Sequence, residues 1–121
     1  MTAKGGSFMR LTKDADALLC LIYKSYIEKY KRGFPVDEAM ISGGAAQIHS
    51  ALAPKWLLDD LEAACRELSN KGMLVCLFAD DTVAESVLTS EAICYMENRL
   101  PKGIQKIVDI LKLIKETVPG T

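Results

Sequence analysis

His49 is the only histidine in the 121 residues. General acid–base work or a metal site would require convergent partners, and its neighbours Gln47 and Ser50 make no recognised triad. It reads as a surface or half-buried structural side chain. Cys20, Cys65, Cys76 and Cys94 could hold zinc or act as nucleophiles, yet no Cys-x-x-Cys pair exists. Each sits alone in an apolar segment, as a small hydrophobe does, without the dense spacing of a secreted disulfide scaffold. Gly43-Gly44 could suggest a phosphate cradle, but no Lys-Ser or Lys-Thr follows and no strand–loop–helix unit frames it. A break in a helix is the better account. Trp56, Tyr23, Tyr26, Tyr30 and Tyr95 could stack on bases, but at helical spacing aromatics read as core or dimer surface. No catalytic, metal-binding or cofactor-binding set emerges, so the expectation is a protein that is not an enzyme.

The charges are segregated. Residues 1–36 carry seven basic and three acidic side chains. Residues 37–97 carry three basic side chains (Lys55, Arg66, Lys71) and eleven acidic ones, a balance of −8. Residues 98–121 carry five basic and two acidic. An acidic centre therefore lies between two basic flanks, although the net charge is only −1. Partner choice follows this local field more than the net charge.

The elements that must position these groups follow from periodicity and capping. Half the residues are apolar and no run approaches 20 apolar residues, so one globular domain without a membrane span is expected. Residues 1–11 read as a flexible leader, with no apolar core of a signal peptide, and a reducing cytoplasm fits the cysteines. Thr12 caps a first helix over about 13–32, with Asp14 and Asp16 in its first turn and Gly33-Phe-Pro35 ending it. Phe34–Asp37 reads as a short strand. A second helix, interrupted by Gly43-Gly44, occupies some part of 38–52. Pro54 is placed as the first residue of a third helix, about 54–71, whose buried stripe is Leu57, Leu58, Leu61, Ala64, Cys65 and Leu68. Met73–Phe78 and Val83–Thr89 form a hairpin around Asp80-Asp81, and Thr89 caps a helix ending near Leu100. Pro101 starts a last helix over about 102–118, with Ile104, Ile107, Val108, Leu111, Ile114 and Val118 on one side.

The fold class is mainly α with a small β-hairpin. Helix, short strand, helix, helix, hairpin is the order of a winged helix-turn-helix over residues 12–100, with an extra amphipathic helix at 101–121. Two phrases carry a family resemblance. Leu61-Glu-Ala-Ala-Cys-Arg-Glu-Leu-Ser-Asn-Lys-Gly-Met-Leu74 looks like a third helix turning through glycine into a wing strand. Val87-Leu-Thr-Ser-Glu-Ala-Ile-Cys-Tyr-Met-Glu-Asn98 is similar to the Leu-Thr-x-x-Gly-x-x-Tyr-Leu signature of bacterial winged-helix regulators, with Ala92 in place of the glycine. Together with the Lys-rich segment Lys102–Lys115, they make the chain resemble the YjcQ-like group of small, often prophage-associated proteins of Gram-positive bacteria. That resemblance implies fold and lends no established activity.

In a DNA reader the third helix presents Arg, Lys, Asn, Gln or Ser to base edges. Here it presents Asp59, Asp60, Glu62 and Glu67, and the wing tip is Asp80-Asp81. Duplex DNA, with one charge per ~1.7 Å, is repelled by such a face. The expectation is a regulator-type adaptor working through contacts with an unknown protein partner. The alternative is a small DNA-binding regulator using Arg10, Lys13, Lys24, Lys29, Lys31 and Arg32. A homodimer through the 104–118 stripe is also expected, isologous pairs being the commonest assembly. Packing of that stripe on the chain's own first helix stays open beside it.

Overall fold

The structure, a computed structural model, describes residues 10–99. Most of the leader and the whole helix expected over about 102–118 lie outside them. The described chain is mainly helical with one two-stranded antiparallel hairpin. Its elements are α1 (Lys13–Lys31), α2 (Val36–Ala39), α3 (Ala45–Leu52), α4 (Leu58–Asn70), β1 (Leu74–Ala79), β2 (Thr82–Leu88) and α5 (Ser90–Arg99).

Local chemistry accounts for most of these limits. The Thr12 hydroxyl accepts from the Ala15 N–H at 3.3 Å and satisfies one of the orphan donors of α1. Gly33 and Gly72 supply the left-handed residues that end α1 and α4, at φ 95° and 79°. The Thr89 hydroxyl caps α5 by accepting from Ala92 N–H at 3.0 Å, and itself donates to the Gly72 carbonyl at 2.7 Å. That second bond ties the start of α5 to the end of α4.

Two local expectations are corrected and one open limit is fixed. Phe34–Asp37 is not a strand: Val36–Ala39 makes one helical turn, and the extended residue is Ile41, bridged antiparallel to Val87. The second helix is confined to Ala45–Leu52. Pro54 does not open the third helix, because residues 53–57 form a turn and α4 starts at Leu58. The stripe read from the sequence is buried within the helix, at Leu61, Ala64, Cys65 and Leu68, but not at its start: Trp56 is buried at 3% exposure, whereas Leu57 and Leu58 stand out at 66% and 44%.

Leu18, Leu19 and Ile22 of α1, Ile48, Leu61, Leu68, Leu74, Leu88 and Met96 are fully buried in one cluster. α4 lies across it, packed against α1, α3 and β1. In the hairpin, Leu74 faces Leu88, Val75 faces Val87, Cys76 faces Ser86 and Leu77 faces Glu85. Phe78 then faces Val83, so Ala84 is the extra residue of a bulge in β2. The turn uses Asp80 and Asp81 at φ 54° and 66°, the positive angles of a two-residue hairpin connection. Among the described residues, no helix is long and apolar enough to cross a membrane.

Candidate functional site

The outward face of α4 and the hairpin tip form the surface that the sequence singled out. Glu67 does not face outward there: its carboxylate accepts from the Thr12 N–H at 2.8 Å and the Thr12 hydroxyl at 2.7 Å, fastening α4 to the start of α1. Glu62 is also engaged, accepting the Val83 N–H at 3.3 Å. The exposed row along α4 is Asp59, Ala63, Arg66 and Asn70, with Asp60 half-buried beside it. Arg66 is drawn back toward the hairpin. It donates to the Asp81 carbonyl at 2.6 Å, lies 4.8 Å from the Phe78 ring centroid, and comes within 3.9 Å of Glu62. The acidity of the helix is thus less outward than its composition implies, while Asp80 and Asp81 at the tip are exposed.

The six basic residues of the alternative reading do not form one patch. A 19-residue helix is about 28 Å long, so Lys13 and Lys31 stand at opposite ends of α1. Lys24 pairs with Glu28 at 3.6 Å. Lys29 donates from Nζ to the Ile41 carbonyl at 2.6 Å, and its burial, followed by the nearby Arg32 charge, lowers its pKa. Arg32 lies over the Phe34 ring at 5.8 Å. Only Lys29, Lys31 and Arg32 share a neighbourhood, the last turn of α1, and Arg10 and Lys13 are exposed at its other end. Ile104, Ile107, Val108, Leu111, Ile114 and Val118 lie outside the described residues.

The remaining candidates have structural partners. His49 donates from Nε2 to the Trp56 carbonyl at 2.7 Å, holding the 53–57 turn against α3. The Trp56 indole N–H is buried with no hydrogen-bond partner among the described residues, a feature that periodicity gave no sign of. Gly43, at φ 94°, directs the chain into α3. Among the described residues no three His, Cys, Asp or Glu side chains converge on a common point. Among the described residues, one open cleft lies between Lys13 and Asp60 and another between Lys29 and Glu85.

The cysteines are unpaired. Burial pushes the Cys65 thiol up to about 12 and the Cys20 thiol up to about 11, with the neighbouring Cys76 and Asp16 adding to the respective shifts. Iodoacetamide is therefore expected to label exposed Cys94 at once and to spare Cys20 and Cys65 until the protein unfolds, which mass mapping of a time course checks. Because these thiols ionise more readily in the unfolded chain, their contribution to stability is intact below its thiol pKa. It is lost as pH rises toward 11–12.

The sequence reading also missed which side of the Leu74–Ala79 run faces solvent. Val75 and Leu77 are 60% and 65% exposed. In an apolar run of six the inside–outside alternation is hidden, but a hairpin packed on one face only must leave every second residue outside. No family model, curated protein or solved structure matches the chain.

Proposed function

We propose that the chain is a non-enzymatic winged-helix module that acts as a regulator-type adaptor through protein contacts. What supports the winged-helix reading is the order α1, Ile41, α3, α4, β1, β2, with Ile41 bridged to β2 as a minimal first strand beside the hairpin. The observation that carries the functional reading is the state of the wing and its neighbouring helix. The tip is Asp80-Asp81, and Arg66, the cation in the exposed row of α4, is tied to the Asp81 backbone carbonyl of that tip. A surface built in this way repels phosphates and suits a protein partner. A reducing cytoplasm, where unpaired cysteines persist, is part of the same proposal.

The second reading, a small DNA-binding regulator, rests on the Lys29, Lys31 and Arg32 cluster at the end of α1. A filter-binding titration against random duplex at two salt concentrations separates the two. The adaptor reading expects a dissociation constant weaker than about 10⁻⁴ M at physiological salt. Micromolar binding with a steep salt slope defeats it. Loss of that binding on Lys31→Glu with Arg32→Glu, both exposed, with the melting temperature unchanged, then establishes the basic flank as the DNA contact.

A further inference from the structure

The outer face of the sheet is apolar and open. Ile41 pairs with Val87 and Val87 with Val75, so the three side chains form one row across the sheet. Leu77, two residues beyond Val75 and opposite Glu85, stands on the same face. Val75 and Leu77 are 60% and 65% exposed and Ile41 43%, with Val87 half-buried between the strands that flank it. The other face, with Leu74, Ser86 and Leu88, is the buried one. A sheet packed on one side alternates apolar inside with polar outside, so an aliphatic row on its open side marks a contact surface.

Charge narrows what can cover it. Glu85 lies on the face itself, and Asp80 and Asp81 stand exposed at the tip of the same hairpin. Lys29, the cation near Glu85, is already held by the Ile41 carbonyl at 2.6 Å. The surface therefore suits an apolar stripe flanked by cations. Residues 102–118 have that pattern: Ile104, Ile107, Leu111 and Ile114 recur at helical spacing among four lysines and two acids. In the same chain this segment starts from the far end of α1. Arg99 closes α5 on the Asp16 carboxylate, in the first turn of α1. Lys29, which marks the Ile41 side of the sheet, is ~20 Å further along that helix. From Arg99 to Ile104 the chain spans at most ~18 Å, so its own stripe begins short of the Ile41 side.

We propose that the 102–118 segment of a second copy lies along this face, its aliphatic stripe on Ile41, Val75 and Leu77 and its lysines toward Glu85 and Asp80-Asp81. The exchange is reciprocal, so each copy supplies one segment and one face and the contact closes as a dimer across a two-fold axis. Reciprocity doubles the area buried, which a single patch of four side chains would leave small. Few side chains are open on each face, so the dimer is expected on the order of tens to hundreds of micromolar. This names what the stripe expected to hold a dimer meets, and it is independent of the adaptor reading.

The test uses the full chain, with sedimentation between about 10 and 500 µM and isotope-filtered nuclear Overhauser spectra at the upper limit. The spectra are taken on an equal mixture of labelled and unlabelled chains. The mass is expected to rise toward that of two copies. Contacts are expected between the Val75 and Leu77 methyls of one copy and the Ile107 and Leu111 methyls of the other. Leu77→Lys, at a position already in solvent, should abolish the dimer and these contacts and leave the melting temperature unchanged. Leu111→Lys, in the segment itself, should do the same from the other side of the interface. A monomer across the whole range overturns the proposal. So do contacts confined to one chain, because its own segment is then the cover, and so does a dimer that survives Leu77→Lys or Leu111→Lys, because another surface then holds it.

Discussion

Gly44→Ala is expected to lower the stability by about 3 kcal/mol, the severe end of what an added methyl costs in a packed interior. The backbone angle is not the reason, since Gly44 has an ordinary extended φ of −77°. The reason is space. A Cβ there would lie 2.7 Å from the Ala84 carbonyl oxygen, and 3.1 Å from both the Ala84 carbonyl carbon and the Val83 carbonyl oxygen. All three are backbone atoms and cannot rotate aside. Nor can the two segments part easily. Ser42 N–H donates to the Ser86 carbonyl at 2.8 Å, and the fully buried Ser86 hydroxyl donates to the Gly43 carbonyl at 2.7 Å. Gly33→Ala is the comparison: its Cβ would meet nothing within 4 Å, but at φ 95° it carries a conformational cost of about 1 kcal/mol. Chemical denaturation of the two variants decides the matter. Equal losses would mean that the contact between the start of α3 and the bulge is not tight.

Leu61→Ala should cost about 3–4 kcal/mol, and Leu57→Ala less than about 0.5 kcal/mol. The periodic stripe places both leucines on one buried face, yet Leu61 is 0% exposed and Leu57 66%. Leu61 packs within the central cluster, where truncation leaves a cavity that the fixed α1, α3 and α4 backbones cannot close. Leu57 precedes the first residue of α4 and loses little contact on truncation. The measurement is the midpoint of urea unfolding for each variant at constant slope. A loss above 1.5 kcal/mol for Leu57→Ala would place that side chain in the core and restore the start of the helix near Pro54.

The acidic surface shows why composition is a poor map of a site. Four carboxylates on one helix suggested a repelling face, but folding bonds Glu67 to Thr12 and Glu62 to Val83. Both bonds join residues far apart in the chain, and no local pattern signals them. Likewise, Arg66 counts as a cation available to a partner until the hairpin returns and offers it the Asp81 carbonyl and the Phe78 ring. The tip itself was legible. Two aspartates between two apolar runs call for a turn, and a turn at the end of a hairpin is in solvent.

By itself the sequence determined where several elements end and what kind most of them are. Thr12, Gly33, Pro35, Gly72 and Thr89 act within a few residues of themselves, through a cap, a left-handed backbone or a missing N–H, so their effects are read locally. The mainly helical class and the hairpin followed from the same short-range rules. Tertiary structure alone decided that Ile41 rather than Phe34–Asp37 is extended, because that choice depends on pairing with Val87, which is 46 residues away. It also decided that Trp56 is inside and Leu57 outside. The 3.6-residue period correctly placed Leu61, Ala64, Cys65 and Leu68 inside, but it does not hold before the helix begins, and the 53–57 turn held by His49 sets that point. Finally, it decided which face of β1 meets α4 and which meets solvent, since a continuous apolar run acquires an inside only when something packs against it.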